Sequence, residues 1–199
     1  MIYYLNGKFV EKSKALIKIN NLGLLRGYGI FDYLKTYNRI PFHLDDHCRR
    51  FFISAASLNL KPPLSPKELK EVIFKLIKKN NPAPFVHKRC GVKELSFRIV
   101  LTGGETNDTR TSENSTFFIM VEPVHYYPKE VFEKGIKLIT LNYRREFPEI
   151  KTINYLWAIS QWGNALKKKA GEILYVWQGK VLEATTSNFL MVKNGVIFT

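Results

Sequence analysis

The sequence predicts an α/β protein in two parts. A smaller N-terminal α+β domain over 1–122 is joined by a linker at 123–128 to the first part, 129–199, of a larger C-terminal domain. Three observations lead there. Segments with an apolar residue at every second position alternate with segments whose apolar residues recur at three- and four-residue steps. A length of 199 residues accommodates one large domain or two small ones. Pro123 and Pro128 bracket a stretch with neither pattern, which reads as a connector.

In chain order, 2–10 reads as a hairpin turning on Asn6-Gly7, a pair suited to the positive φ angles of a type I′ turn. Residues 22–28 read as irregular, with Gly23 and Gly27 allowing unusual backbone angles. A strand is expected over 30–37, a turn at Asn38-Arg39 and a partner strand over 40–43. From Asp45 the period changes: Cys48, Phe51, Phe52, Ala55 and Leu58 mark an amphipathic helix that ends before Pro62. Ser65-Pro66-Lys67-Glu68 is a capping box with proline at the first helical position, opening a helix to about Asn80. Residues 81–93 read as loop, 95–101 and 116–122 as strands, and 103–115 as a long polar loop able to border a substrate site.

Beyond the linker the pattern predicts a strand over 136–141, a helix over 155–170 stopped by Gly171, and strands over 173–178, 180–182 and 189–193. Asn194-Gly195 then opens another hairpin. Thr199 falls inside that hairpin's second strand, so the second domain is expected to be incomplete there.

Composition narrows the classes. No apolar run approaches the ~18 residues a membrane helix needs, and the N-terminus lacks the basic and apolar regions of a secretory signal. Cys48 and Cys90 stand far apart and outside any CxxC pattern, which suits a reducing cytoplasm. Lys and Arg total 31 against 17 Asp and Glu, a formal charge of +14 that attracts anions of any kind. Nucleic acid is not favoured as a partner, because no reading motif accompanies the charge. No metal is expected: His43 and His47 straddle a strand–helix junction, and His87 and His125 are isolated. Glycine-rich nucleotide loops and a Gly-x-Ser-x-Gly elbow are also missing. Singly, Lys151 is compatible with a surface lysine, Glu183 with a strand-end carboxylate and Arg50 with a solvated helix residue.

Together these residues fall in motifs that resemble the class IV aminotransferases, the fold-type IV pyridoxal-phosphate enzymes. The motifs run in order: the Asn6-Gly7 hairpin, Arg26-Gly27-Tyr28-Gly29-Ile30-Phe31-Asp32, His47-Cys48-Arg49-Arg50 with Ser54-Ala55, Lys151-Thr152-Ile153-Asn154-Tyr155-Leu156, and Gly179 through Asn188 with Phe198-Thr199. The resemblance implies pyridoxal 5′-phosphate as cofactor and a homodimer with its site at the domain interface. Lys151 is then the residue that forms the internal Schiff base and shuttles the substrate proton. Glu183 pairs with the pyridine nitrogen, keeping the ring an electron sink. Arg50 holds the cofactor phosphate, Tyr155 hydrogen-bonds the 3′-oxygen, and Thr186 and Ser187 line the pocket near the ring.

Departures from the family pattern bear on substrate. Asp32 stands where the family usually has glutamate. Phe31, a substrate-pocket candidate, replaces the tyrosine of members that act on D-amino acids. The loop at 104–110 lacks those members' arginine–histidine carboxylate trap, and Asp108 falls near the arginine's place. The function expected is transamination between an amino acid, of the branched-chain type, and a 2-oxo acid. The alternatives are 4-amino-4-deoxychorismate lyase, which uses the same lysine to eliminate pyruvate, and a non-catalytic basic module binding nucleic acid or other anions.

Overall fold

The computed structural model describes residues 1–80, 94–111 and 114–199. The loop expected at 81–93, with His87 and Cys90, lies outside the described residues. The chain forms two compact units, Met1–His125 with Glu149–Asn154, and Tyr126–Pro148 with Tyr155–Thr199. The expected linker at 123–128 straddles the first crossing. The return of 149–154 to the first unit departs from the expected division, which placed Lys151 in the second domain.

In the first unit a six-stranded antiparallel sheet runs in the order β2-β1-β6-β5-β3-β4. Its strands are β1 (Ile2–Leu5), β2 (Lys8–Glu11), β3 (Gly29–Tyr37), β4 (Ile40–Pro41), β5 (Leu95–Thr102) and β6 (Thr116–Pro123). Asn6 and Gly7 take φ of 43° and 88°, the left-handed pair that the β1–β2 turn requires. Along β3, Ile30, Asp32, Leu34 and Thr36 are buried while Tyr33 and Tyr37 are exposed, the two-residue alternation of a strand with one covered face.

That face is covered by α2 (Leu44–Ser57) and α3 (Pro66–Asn80). Leu69, Ile73 and Leu76 of α3 are fully buried against Phe51, Phe97 and Ile99, each contributing roughly 1.5–3 kcal/mol by burial. The capping box forms as expected: Ser65 N donates to Glu68 Oε2 at 2.7 Å, and Glu68 N donates back to Ser65 Oγ at 3.3 Å. His43, expected in a strand, instead takes a left-handed conformation (φ 47°) at the start of α2. Residues 22–28, expected to be irregular, contain a one-turn helix, α1 (Leu22–Arg26). Asn21 caps it by accepting from Gly23 N at 2.8 Å, and Gly27 ends it at φ 64°.

The second unit holds a three-stranded sheet, β7 (Leu138–Asn142), β8 (Glu172–Trp177) and β9 (Lys180–Ala184), with β7 parallel and β9 antiparallel to the central β8. The helix α5 (Leu156–Lys167) packs on it by burying Ala158 and Ala165 against Ile173 and Tyr175. It is shorter than the 155–170 expected, since Lys168, Lys169 and Ala170 form its closing turn. A further short helix, α4 (Lys129–Lys134), was not expected. The chain closes on an exposed hairpin, β10 (Met191–Lys193) and β11 (Val196–Phe198), turning on Asn194 and Gly195. Among the described residues no helix is long and apolar enough to cross a membrane.

Candidate functional site

Lys151 is held by its backbone. Phe31 N donates to Lys151 O at 2.9 Å and Ile153 N donates to Gly29 O at 3.1 Å, so the segment pairs with the start of β3 around Ile30 and Thr152. Lys151 N makes a longer contact, 3.4 Å, to the buried Ser54 Oγ. Ile150 packs on the apolar core. The half-buried Lys151 side chain places Nζ 4.7 Å from the centre of the Phe31 ring, within range of a cation–π attraction. The Arg98 guanidinium approaches the same ring at 5.6 Å.

Arg50 projects from α2 toward the same strand. Its Nε and Nη2 donate to the two oxygens of Asp32, each at 2.8 Å, a bidentate fork. His47 Nδ1 lies 2.7 Å from Asp32 Oδ1. Asp32 is fully buried. Burial pushes its pKa up, but the contacts from His47 and Arg50 outweigh that and hold the carboxyl below its ordinary value. Phe31 and Asp32 are consecutive on β3 and therefore point to opposite faces. One strand thus positions both cations named from the sequence, Lys151 through Phe31 and Arg50 through Asp32.

In the second unit, Glu183 on β9 accepts from Arg145 Nε at 2.7 Å and Nη2 at 3.1 Å, and Nη2 also donates to Pro148 O at 2.8 Å. Glu183 lies across the sheet from Tyr175, which is buried. Burial first, then the proximity of Tyr143, Tyr155 and Glu183, pushes the Tyr175 phenol up to about 12. Tyr155 itself sits at the N-terminus of α5, packed on the apolar cluster of that unit. Thr186 and Ser187 direct their hydroxyls at Glu172, with Oγ1 and Oγ donating to its Oε2 at 2.8 and 3.0 Å.

Sequence reasoning missed Arg98 and Glu172, and the pairing of Arg145 with Glu183. Arg98 carried a signal, as the one charged residue of the otherwise largely apolar β5. Arg145 and Glu172 carried none, because their partners lie on other elements. A polar cavity of about 430 Å³ lies at the loop after β5, lined by Asn6, Thr106, Asp108 and Thr116 among others. Lys151, Arg50, Phe31, Tyr155, Glu183, Thr186 and Ser187 are not among its lining residues. Asp108 there accepts from the main-chain N–H groups of Thr111 and Arg110, which hold its carboxyl far below the usual range. Among the described residues no cluster of His, Cys, Asp and Glu could hold a metal ion.

The chemistry of these donors matches that of pyridoxal phosphate. The primary amine of Lys151 suits an aldehyde, the guanidinium of Arg50 suits a phosphate dianion, and the carboxylate of Glu183 suits a protonated ring nitrogen. Arg50 is oriented by Asp32 and Glu183 by Arg145, each through a two-point contact that fixes a plane. In donor type, each residue fits the part of the group it would hold.

Comparison with known proteins agrees with this chemistry. The family model described as amino-transferase class IV matches residues 29–199. A Methanocaldococcus jannaschii protein described as a branched-chain-amino-acid aminotransferase is 32% identical over 208 residues, covering 100% of this chain and 68% of that protein. A D-alanine aminotransferase of Staphylococcus aureus is 28% identical, covering 98% of this chain and 67% of its own. The crystal structure of the branched-chain amino acid aminotransferase of Escherichia coli superposes with a TM-score of 0.84 at 22% identity, over 100% of this chain and 67% of that one. The chain thus spans about two thirds of the length of the relatives it matches.

Proposed function

The chain belongs to the class IV aminotransferases, a family of pyridoxal-phosphate enzymes, and has their fold-type IV architecture. On that premise we propose that it moves an amino group between an amino acid of the branched-chain type and a 2-oxo acid. The observation that carries the reading is the Phe31 ring with Lys151 Nζ and the Arg98 guanidinium both against it. A nucleophilic amine and a carboxylate-binding cation stand beside one apolar wall, which is the set an apolar amino acid needs. The M. jannaschii relative supports the branched-chain preference over other side chains.

When bound, pyridoxal phosphate supplies the electron-withdrawing ring that makes the substrate Cα–H acidic. Lys151 Nζ takes that proton and returns it during transfer. Glu183, oriented by Arg145, holds the proton at the ring nitrogen. Arg50, oriented by Asp32, donates to the phosphate oxygens, and Tyr155 donates to the ring's 3′-oxygen. Arg98 receives the substrate carboxylate. The partner in solution is a second copy of the chain, and the location is cytoplasmic.

The test incubates the purified protein with pyridoxal phosphate, reduces it with borohydride and maps the adduct by mass spectrometry. The expected site is Lys151. Leucine with 2-oxoglutarate should then yield glutamate, and Lys151→Ala should lower that rate by at least about 10²-fold, the low end for a lost proton-transfer group. Light scattering on the same sample should give twice the mass of one chain. A colourless protein that takes up no cofactor would sink the reading. Pyruvate released from 4-amino-4-deoxychorismate, with no glutamate from leucine, would reassign the reaction as the lyase.

A further inference from the structure

Glu172 opens β8 with only 5% of its surface exposed. A buried carboxylate is costly unless its oxygens are fully hydrogen-bonded. Here Oε1 accepts from Ile173 N at 2.8 Å and from the Thr185 hydroxyl, while Oε2 accepts from Thr186 Oγ1 and Ser187 Oγ. Four donors fill about four acceptor positions. Burial raises the pKa, but these donors outweigh it and keep the group ionised. Three of the four donors come from consecutive residues in the turn that follows β9, and Thr185 N also donates to Ile173 O at 3.0 Å.

A hydroxyl has a single proton to give. With those protons committed to Glu172, Thr186 and Ser187 can offer an anionic ligand only the main chain of their turn. Both residues are otherwise exposed, so the turn faces solvent with its hydroxyls drawn inward. Glu183 lies two residues before this turn on the same strand.

We propose that Glu172 is a positioning residue of the cofactor site, holding the 185–187 turn in register so that its main chain and the neighbouring Glu183 meet the cofactor. The proposal rests on the pyridoxal-phosphate reading above. It also reassigns Thr186 and Ser187: their side chains support the turn, and its backbone does the binding.

The experiment titrates the purified protein with pyridoxal phosphate by absorbance, for the wild type, Glu172→Gln, Ser187→Ala and the double variant. Glutamine keeps the shape but replaces one acceptor oxygen with a donor. We expect Glu172→Gln to weaken cofactor binding by roughly 10- to 100-fold, the range in which supporting shells act on a bound group, and to shift the bound absorption band. Ser187→Ala should cost less, and the double variant should bind no worse than Glu172→Gln, since both act through one contact. Wild-type affinity and band in Glu172→Gln, with only a lower melting temperature, would make the carboxylate merely structural and overturn the proposal. Additive losses would give Ser187 its own cofactor contact and overturn it too. Should Glu172→Gln not fold, Ser187→Ala decides, and wild-type affinity there overturns the proposal. A wild type that takes up no cofactor removes the functional reading and this proposal together.

Discussion

Asp32 has no exposed surface, and it is stable as a carboxylate because His47 and Arg50 both reach it. Asp32→Asn keeps the volume and removes the charge-assisted fork, leaving two of the Arg50 donors facing a weaker acceptor. The half-exposed guanidinium is partly rehydrated, so the expected loss is about 1–3 kcal/mol, read as a lower urea midpoint with an unchanged slope. The same contacts set a pH dependence. The folded-state pKa is held below the ordinary 3.8, so this contribution is fully present above the unfolded value and is lost as pH falls through the folded one. Urea titrations from about pH 6 downward should show the loss beginning below about pH 4, with a shallower decline in Asp32→Asn. Lys151, Arg50 and Glu183 could be proposed from the sequence because each belongs to a stretch of several diagnostic residues. The roles of Arg145 and Glu172 could not, since a surface arginine and a strand-opening glutamate acquire meaning only from partners brought by folding.

Gly29 has no room for a side chain. A Cβ there would stand 2.9 Å from Leu101 O on the neighbouring strand and 2.9 Å from Ile153 Cδ1. The isoleucine tip can turn aside; the carbonyl of a paired strand cannot. Gly29→Ala should therefore cost about 1–3 kcal/mol by overpacking and displace the segment that carries Lys151. Calorimetry should show the lower melting temperature, and borohydride trapping should show less cofactor on Lys151. Elements with strong periodicity or explicit caps were readable from sequence: α3, with Ser65 and Glu68 at its start, is the clearest. The five-residue α1 and six-residue α4 were not, because so short a helix has no period to detect. The Asn21 cap and the Gly27 stop, at φ 64°, were the usable signals for α1.

At the scale of the molecule, the sequence reads as two domains laid end to end, whereas the chain leaves the first unit after His125, returns for Glu149–Asn154 and leaves again. Hydrophobic pattern reports which face a segment buries, and says nothing of which partner covers it. The short Lys151 segment has too few residues to show any pattern, so its return could not be read. The +14 charge was legible but named no partner: the half-exposed Lys70, for one, pairs with Asp45 at 2.8 Å.

The pairing of that segment with Gly29 and Phe31 has a consequence for handling the protein. On its far side β3 meets β4 only at Thr36 and Tyr37, so among the described residues the segment is what occupies the strand's opening positions. A protein cut at His125, where the boundary looks clean, would leave Gly29 O and Phe31 N without these bonds beside apolar side chains. Such a bare strand edge is a template for another chain. The truncated protein should self-associate in light scattering where the full chain does not aggregate. A monodisperse 1–125 would show that this edge needs no cover. The lysine's segment would otherwise serve the solubility of its unit as well as its chemistry.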